Sequence, residues 1–235
     1  MTDEPTVRWK KAKHEGAGRP PLVVFLHGRG ADENDLFELA PLLDPAFAVA
    51  SIRGPVTIED GGYTWSESLA PGRYIAASLR ASIVRMQRWF EQLDGGRPDP
   101  QRIYLLGFSA GMAMASALIL DEPARYAGGI FLSGALPFET DLSITKNRLA
   151  DVDVFAGRGS FDTAIPADLV ERTDSYLRER SGARLTERTY PIPHAISEAE
   201  MADISRWLVA CEAASSPTRV DALAGTASPR AAMLH

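Results

Sequence analysis

Apolar residues in this chain recur in two patterns. Short, nearly unbroken runs occupy 22–26, 47–52, 103–106, 129–132 and 152–156, with a weaker run at 185–190. Runs without polar alternation are what parallel strands buried on both faces require. Residues 6–13 read instead as an exposed antiparallel edge strand. Between these runs, apolar residues return at spacings of three and four. Ile75, Leu79, Ile83, Met86, Phe90 and Leu93 form one stripe, which predicts a helix stopped by Gly95 and Gly96. Pro166 suits the first turn of another, with Leu169, Val170, Thr173, Tyr176 and Leu177 facing inward. Ser197 and Glu200 have the spacing of a capping box ahead of a last helix, whose buried face is Met201, Ile204, Leu208 and Cys211. Residues 112–120 are small and apolar on every side. Segment 34–43 also has a helical pattern, which Pro41 is expected to break or kink.

Strands alternating with helices predict an α/β fold, a doubly wound and mostly parallel sheet with helices on both faces. In such sheets the ligand sits beyond the carboxyl ends of the strands. Residues 1–212 are expected to form a single domain. The segment 213–235 is rich in Ala, Ser, Pro and Thr, lacks periodicity and reads as a disordered tail. Region 137–149 reads as an irregular loop that could border a pocket. The connections are short and leave little room for a large lid, which favours small or short-chain substrates.

Composition narrows the partners. A net charge of -6 argues against nucleic acid. The single cysteine, Cys211, excludes an internal disulfide and suits a reducing compartment, and it reads as core filler rather than a reactive thiol. Residues 1–16 lack the apolar core of a signal peptide, and no apolar run reaches the roughly 18 residues of a membrane span. A cytoplasmic location is the expectation. Histidine and cysteine are too few and scattered for a metal cluster, and no G-x-x-x-x-G-K phosphate loop is present, so no cofactor is expected. The expected partner is a small-molecule substrate, and a homodimer is left open.

The candidate chemistry lies at Gly107-Phe108-Ser109-Ala110-Gly111, a G-x-S-x-G pentapeptide between a strand-like and a helix-like run. A serine on a sharp strand-to-helix turn has its hydroxyl exposed, and the helix that follows points free N–H groups toward it. A serine hydroxyl needs a base to take its proton as it attacks, and histidine, with an ordinary pKa of about 6.5, suits that task. Of the four histidines, His14 lies in the polar start of the chain and His235 ends the tail. His27 directly follows a strand and reads as a loop-shaping residue. His194 lies between the last strand and the last helix, on the same edge of the sheet as Ser109, and is the leading base. An acid must then hold the imidazole. In the α/β-hydrolase arrangement the chain order is serine, acid, histidine. Asp121, Glu122, Glu139, Asp141, Asp151, Asp153, Asp162 and Asp168 all fall between positions 109 and 194. Asp162 follows a strand in a Gly-containing loop at the carboxyl edge and is preferred. The small-residue loop His27-Gly28-Arg29-Gly30 follows the first buried strand, so the backbone N–H groups of Arg29 and Ala110 are the expected oxyanion hole. The Arg29 side chain could meet a negatively charged substrate group or stand free in solvent.

Four blocks now resemble the phospholipase/carboxylesterase branch of the α/β-hydrolases, which includes acyl-protein thioesterases. They are Leu26-His27-Gly28-Arg29-Gly30, the pentapeptide around Ser109, Gly159-Ser160-Phe161-Asp162-Thr163-Ala164-Ile165-Pro166, and His194 followed by Trp207-Leu208. They fall in family order across about residues 20–210. The resemblance implies a triad of Ser109, Asp162 and His194 with oxyanion donors at Arg29 and Ala110. Three positions depart from the family pattern: Ala110 stands where glutamine is usual, Pro193 where glycine is usual and Arg158 where histidine is common. Tyr63 and Trp65, after Gly61 and Gly62, resemble a substrate-side loop and either line an acyl pocket or pack that loop down. The function expected is a cofactor-free serine hydrolase of carboxylic esters. Alternatives are an acyl thioesterase or lysophospholipase, and a catalytically silent fold that only binds a ligand.

Overall fold

A computed structural model describes residues 4–13, 19–59, 61–94 and 102–215. The first strands are β1 (Val7–Lys10), β2 (Leu22–Leu26) and β3 (Ala48–Ile52), followed by two small hairpins, β4 (Val56–Thr57) with β5 (Tyr63–Thr64) and β6 (Ser68–Ala70) with β7 (Arg73–Tyr74). Then come α1 (Ala76–Asp94), β8 (Ile103–Phe108), α2 (Ala110–Asp121), β9 (Gly128–Leu132), β10 (Asp153–Gly159), α3 (Ala167–Ser175), β11 (Arg184–Tyr190) and α4 (Glu198–Ser215). The main sheet has seven strands in the order β1-β3-β2-β8-β9-β10-β11. Only β1 runs antiparallel, pairing Val7 with Ile52 on the outer edge, as expected of the segment 6–13. The remaining pairs are parallel, with β8 at the centre and β2 between β3 and β8.

Burial explains why these runs are unbroken. All five residues of β2 are fully buried. Leu22, Val24 and Leu26 enter the core shared with α1 and α2, whereas Val23 and Phe25 enter a second core shared with α4. Alternation along the strand therefore feeds two apolar layers, and each such side chain stabilises the fold by about 2 kcal/mol. Helix α2 is buried along its whole length from Ala110 to Leu120, which accounts for its lack of a polar face. Cys211 packs into the second core, and burial pushes its thiol up to about 12.

Three elements differ from the sequence expectation. Segment 34–43 forms a 3-10 helix over Leu36–Leu42 with Pro41 inside it. An α-helix through Pro41 would drive the ring against the Phe37 carbonyl, and the tighter winding avoids this. Pro166 precedes α3 as its cap, and the helix passes into a single π turn at Tyr176–Arg180, which brings Tyr176 and Leu177 into the core. The last helix continues through Ser215, past the expected boundary at 212. Gly95, Gly96, His14, His235 and the rest of the expected tail, 216–235, lie outside the described residues. Among the described residues no helix is long and apolar enough to cross a membrane.

Candidate active site

Ser109 stands between the end of β8 and the start of α2 with φ 55° and ψ -117°, a left-handed conformation rare for a side-chain-bearing residue. Its N–H donates to the Leu132 carbonyl at 2.9 Å, and its own carbonyl accepts from Met112 N–H at 3.0 Å. The turn is tight because glycine flanks it. A Cβ on Gly111 would collide with the Leu26 carbonyl, and one on Gly107 with the Gly111 carbonyl. The strand-to-helix turn therefore requires both glycines of the motif.

The carboxyl ends of β8, β10 and β11 bring three distant side chains into one line. Ser109 Oγ is 3.0 Å from His194 Nε2, and His194 Nδ1 is 2.8 Å from Asp162 Oδ2. The second oxygen, Asp162 Oδ1, accepts the Ala164 N–H at 2.9 Å. The Asp162 side chain is 8% exposed. Burial works to raise its pKa, but hydrogen bonds from His194, the Ala164 N–H and the Ser133 hydroxyl outweigh it and hold the carboxyl below its ordinary value. The Phe108 ring lies 4.7 Å from the imidazole and shields its face. Pro193 does not turn the loop away, since His194 reaches both partners. A hydroxyl, an imidazole and a buried carboxylate in this order can move a proton from oxygen to nitrogen while charge is stabilised behind it.

Six of the seven other carboxylates considered meet arginines elsewhere. Asp121 and Asp141 meet Arg80, Glu139 and Asp168 meet Arg73, and Asp151 and Asp153 meet Arg184. Arg158, at the position where histidine is common, pairs with Asp174.

Arg29, Ser109 and Ala110 line one cavity of about 390 Å³, closed on its far side by the β6–β7 hairpin and by Ile165. The loop carrying Arg29 is pinned at several points. Gly30 N–H donates to the Tyr63 carbonyl at 2.9 Å, and Tyr63 N–H donates to Ala31 at 2.9 Å. His27 is buried; its Nε2 accepts the Gly54 N–H at 2.9 Å, so its Nδ1 carries the proton facing the Gly28 carbonyl at 2.7 Å. Burial, the largest influence, lowers the His27 pKa. Trp65, 1% exposed, donates from Nε1 to the His27 carbonyl at 2.8 Å. Tyr63 stacks its ring under Arg53 and hydrogen-bonds it through its hydroxyl. Of the two roles open to Tyr63 and Trp65, holding the loop down is the one their contacts fit, and neither lines the cavity at Ser109.

The sequence did not show the place of Ser133 or the burial of the Glu200 carboxyl. Ser133, at the carboxyl end of β9 with φ 45°, faces Asp162. Its place after an apolar strand and before Gly134, on the same sheet edge, was the available signal. The Glu200 N–H donates to Ser197 Oγ at 3.1 Å, the first half of the expected capping box. Its carboxyl is 1% exposed and faces the Ser197 N–H, yet neither oxygen reaches a donor with hydrogen-bond geometry. It fills the space left by the missing Cβ of Gly157 on β10. Burial, with Asp203 nearby, raises its pKa from 4.5 to about 7. A carboxyl raised in the folded state adds stability that is complete below its unfolded value and is lost as pH rises through about 7. Denaturant titrations of wild type and Glu200→Gln at pH 4.5 and 8 should therefore diverge. Wild type is expected to lose on the order of 3 kcal/mol more than the variant over that interval; parallel curves would show that Glu200 ionises freely.

Among the described residues no three His, Cys, Asp or Glu side chains gather as they would around a metal ion. A mostly parallel sheet with helices on both faces and a serine on the β8–α2 turn define an α/β-hydrolase. Residues 10–212 match the phospholipase/carboxylesterase family, and the chain belongs to it. It is 25% identical over 190 residues to the putative hydrolase MhqD of Bacillus subtilis, covering 79% of this chain and 91% of that protein. It is also 25% identical over 215 residues to acyl-protein thioesterase 1 of Candida albicans, covering 82% and 93%. The crystal structure of a carboxylesterase from Mesorhizobium loti superposes with a TM-score of 0.75 at 25% identity, covering 89% of this chain and 97% of that one.

Proposed function

We propose that this chain is a carboxylic ester hydrolase that works through an acyl-enzyme on Ser109. The observation that carries this reading is the continuous hydrogen-bonded line from Ser109 through His194 to Asp162 at the mouth of a cavity. In the first step Ser109 Oγ attacks the ester carbonyl while His194 Nε2 takes the hydroxyl proton. The developing oxyanion is held by the N–H groups of Arg29 and Ala110. Neither donates to another backbone carbonyl among the described residues. Each such donor stabilises the transition state by about 3 kcal/mol. His194 then returns its proton to the departing alcohol. Water, activated by the same imidazole, attacks the acyl-enzyme and releases the acid and the free serine. Ala110 in place of glutamine leaves this intact, because only its N–H is used.

The cavity, bordered by a short hairpin, favours short acyl chains. The single cysteine suits a reducing compartment. The acyl-protein thioesterases among the relatives make sulfur esters the main alternative. The test is a set of esters and thioesters matched in acyl group, assayed in parallel across chain length. Cleavage of the oxygen esters, with the highest kcat/KM at short chains, is the expected result. A preference of tenfold or more for every thioester would make the protein a thioesterase. Binding of these compounds without turnover would make it a silent ligand-binding fold.

A further inference from the structure

The cavity beside Ser109 is lined by apolar and small hydroxyl side chains and, among the described residues, by one cationic residue, Arg29. Leu69, Pro71, Tyr74 and Ile165 line it together with Thr64 and Ser68, and among the described residues no Asp or Glu does. Leu69 is 82% exposed, the barest large apolar side chain among the described residues. Arg29 borders the same cavity, is exposed, and makes neither an ion pair nor a hydrogen bond through its side chain among the described residues. Arginines of neighbouring segments are all engaged: Arg53 with Glu33, Arg73 with Glu139 and Asp168, and Arg158 with Asp174.

The position of Arg29 is also fixed. Gly28 and Gly30 flank it, and the Gly30–Tyr63 and His27–Gly54 hydrogen bonds hold the loop on both sides. A guanidinium on an anchored backbone, within one cavity of the reacting hydroxyl, offers a fork of N–H donors that matches an oxyanion such as carboxylate or phosphate. We propose that Arg29 is a specificity-determining residue that binds an anionic group of the substrate. The preferred esters then carry a carboxylate or phosphate on one side of the scissile bond, with a short hydrocarbon segment against Leu69 and Ile165. This inference rests on the esterase reading above. It adds a substrate class to it: small amphiphilic esters bearing a negative charge rather than neutral ones.

The test compares each anionic ester with its own neutral methyl ester, in two arms that separate the acyl side from the alcohol side. The first arm pairs mono-4-nitrophenyl adipate with 4-nitrophenyl methyl adipate. The second pairs 5-acetoxy-2-nitrobenzoate with its methyl ester. Wild type is expected to show a higher kcat/KM for the charged member of one pair, and the arm in which it does so locates the anion. Arg29→Gln is expected to lower that charged-to-neutral ratio about tenfold. Arg29→Lys should retain part of it, and about 0.5 M salt should shrink it in wild type. The neutral twin absorbs any damage the substitution does to the oxyanion loop, so the ratio reads the side chain alone. An unmoved ratio in Arg29→Gln, or a wild-type preference for the neutral member in both arms, overturns the inference while leaving the esterase intact. Failure of wild type to cleave any of these esters overturns the esterase reading and this inference with it.

Discussion

Ser109→Ala is expected to reduce kcat by about 10⁶ with no change of fold. The substitution removes only Oγ. The backbone bonds that hold the turn, Ser109 N–H to Leu132 and Met112 N–H to the Ser109 carbonyl, need no side chain. Alanine tolerates φ 55° no worse than serine does, and the flanking glycines still let strand and helix close together. Without the hydroxyl there is no nucleophile for His194 to activate and no acyl-enzyme. What remains is binding and oxyanion stabilisation of direct attack by water. A melting temperature equal to wild type, alongside the lost turnover, separates chemistry from stability. Retention of more than about a thousandth of the activity would mean that another group attacks the ester.

The second large effect is Asp162→Asn, with an expected loss of about 10⁴ in kcat. The surroundings dictate how the new amide sits. Ala164 N–H points at Oδ1 and needs an acceptor, so the carbonyl of the asparagine turns to it. The NH₂ group then faces His194 Nδ1, where the carboxylate accepted a hydrogen bond from Nδ1–H before. A donor there forces Nδ1 to accept, which places the ring proton on Nε2. That nitrogen can then no longer take the proton of Ser109. The wild-type carboxyl, held below its ordinary pKa by its donors, stays ionised through the neutral range and keeps the tautomer correct. Steady-state kinetics at pH 7 to 8 check this, and a loss below tenfold would show that Asp162 does not orient the imidazole.

Much of this arrangement was legible before any coordinates. The buried strands announced themselves because a strand covered on both faces has no polar position to alternate with, as in β2, β8 and β9. The serine was legible because its glycines are required by close backbone approach, a local constraint. Asp162 was harder. Twelve carboxylates lie in the allowed interval, and what separates most of them from Asp162 is the arginine each one meets, a matter of contacts far apart in sequence. Local position on the carboxyl edge favoured Asp162, yet it could not show that Arg73, Arg80 and Arg184 occupy most of the others. The two hairpins that shape the cavity have strands of two or three residues, too short for any periodicity. The 3-10 helix kept the pattern of an α-helix because Pro41 changes its winding more than its apolar face. Glu200 was read only as a cap. Its spacing of four to Ile204 and eight to Leu208 also puts it on the buried face of α4, and the missing side chain of Gly157 makes room for it there.

The most direct test is covalent labelling with a fluorophosphonate, read by intact mass and peptide mapping. One adduct per chain on Ser109, absent after denaturation and absent in Ser109→Ala, is expected, with ester hydrolysis lost in proportion to labelling. Active protein that takes no label, or takes it on a different residue, would contradict a nucleophilic Ser109 and with it the whole assignment of the site.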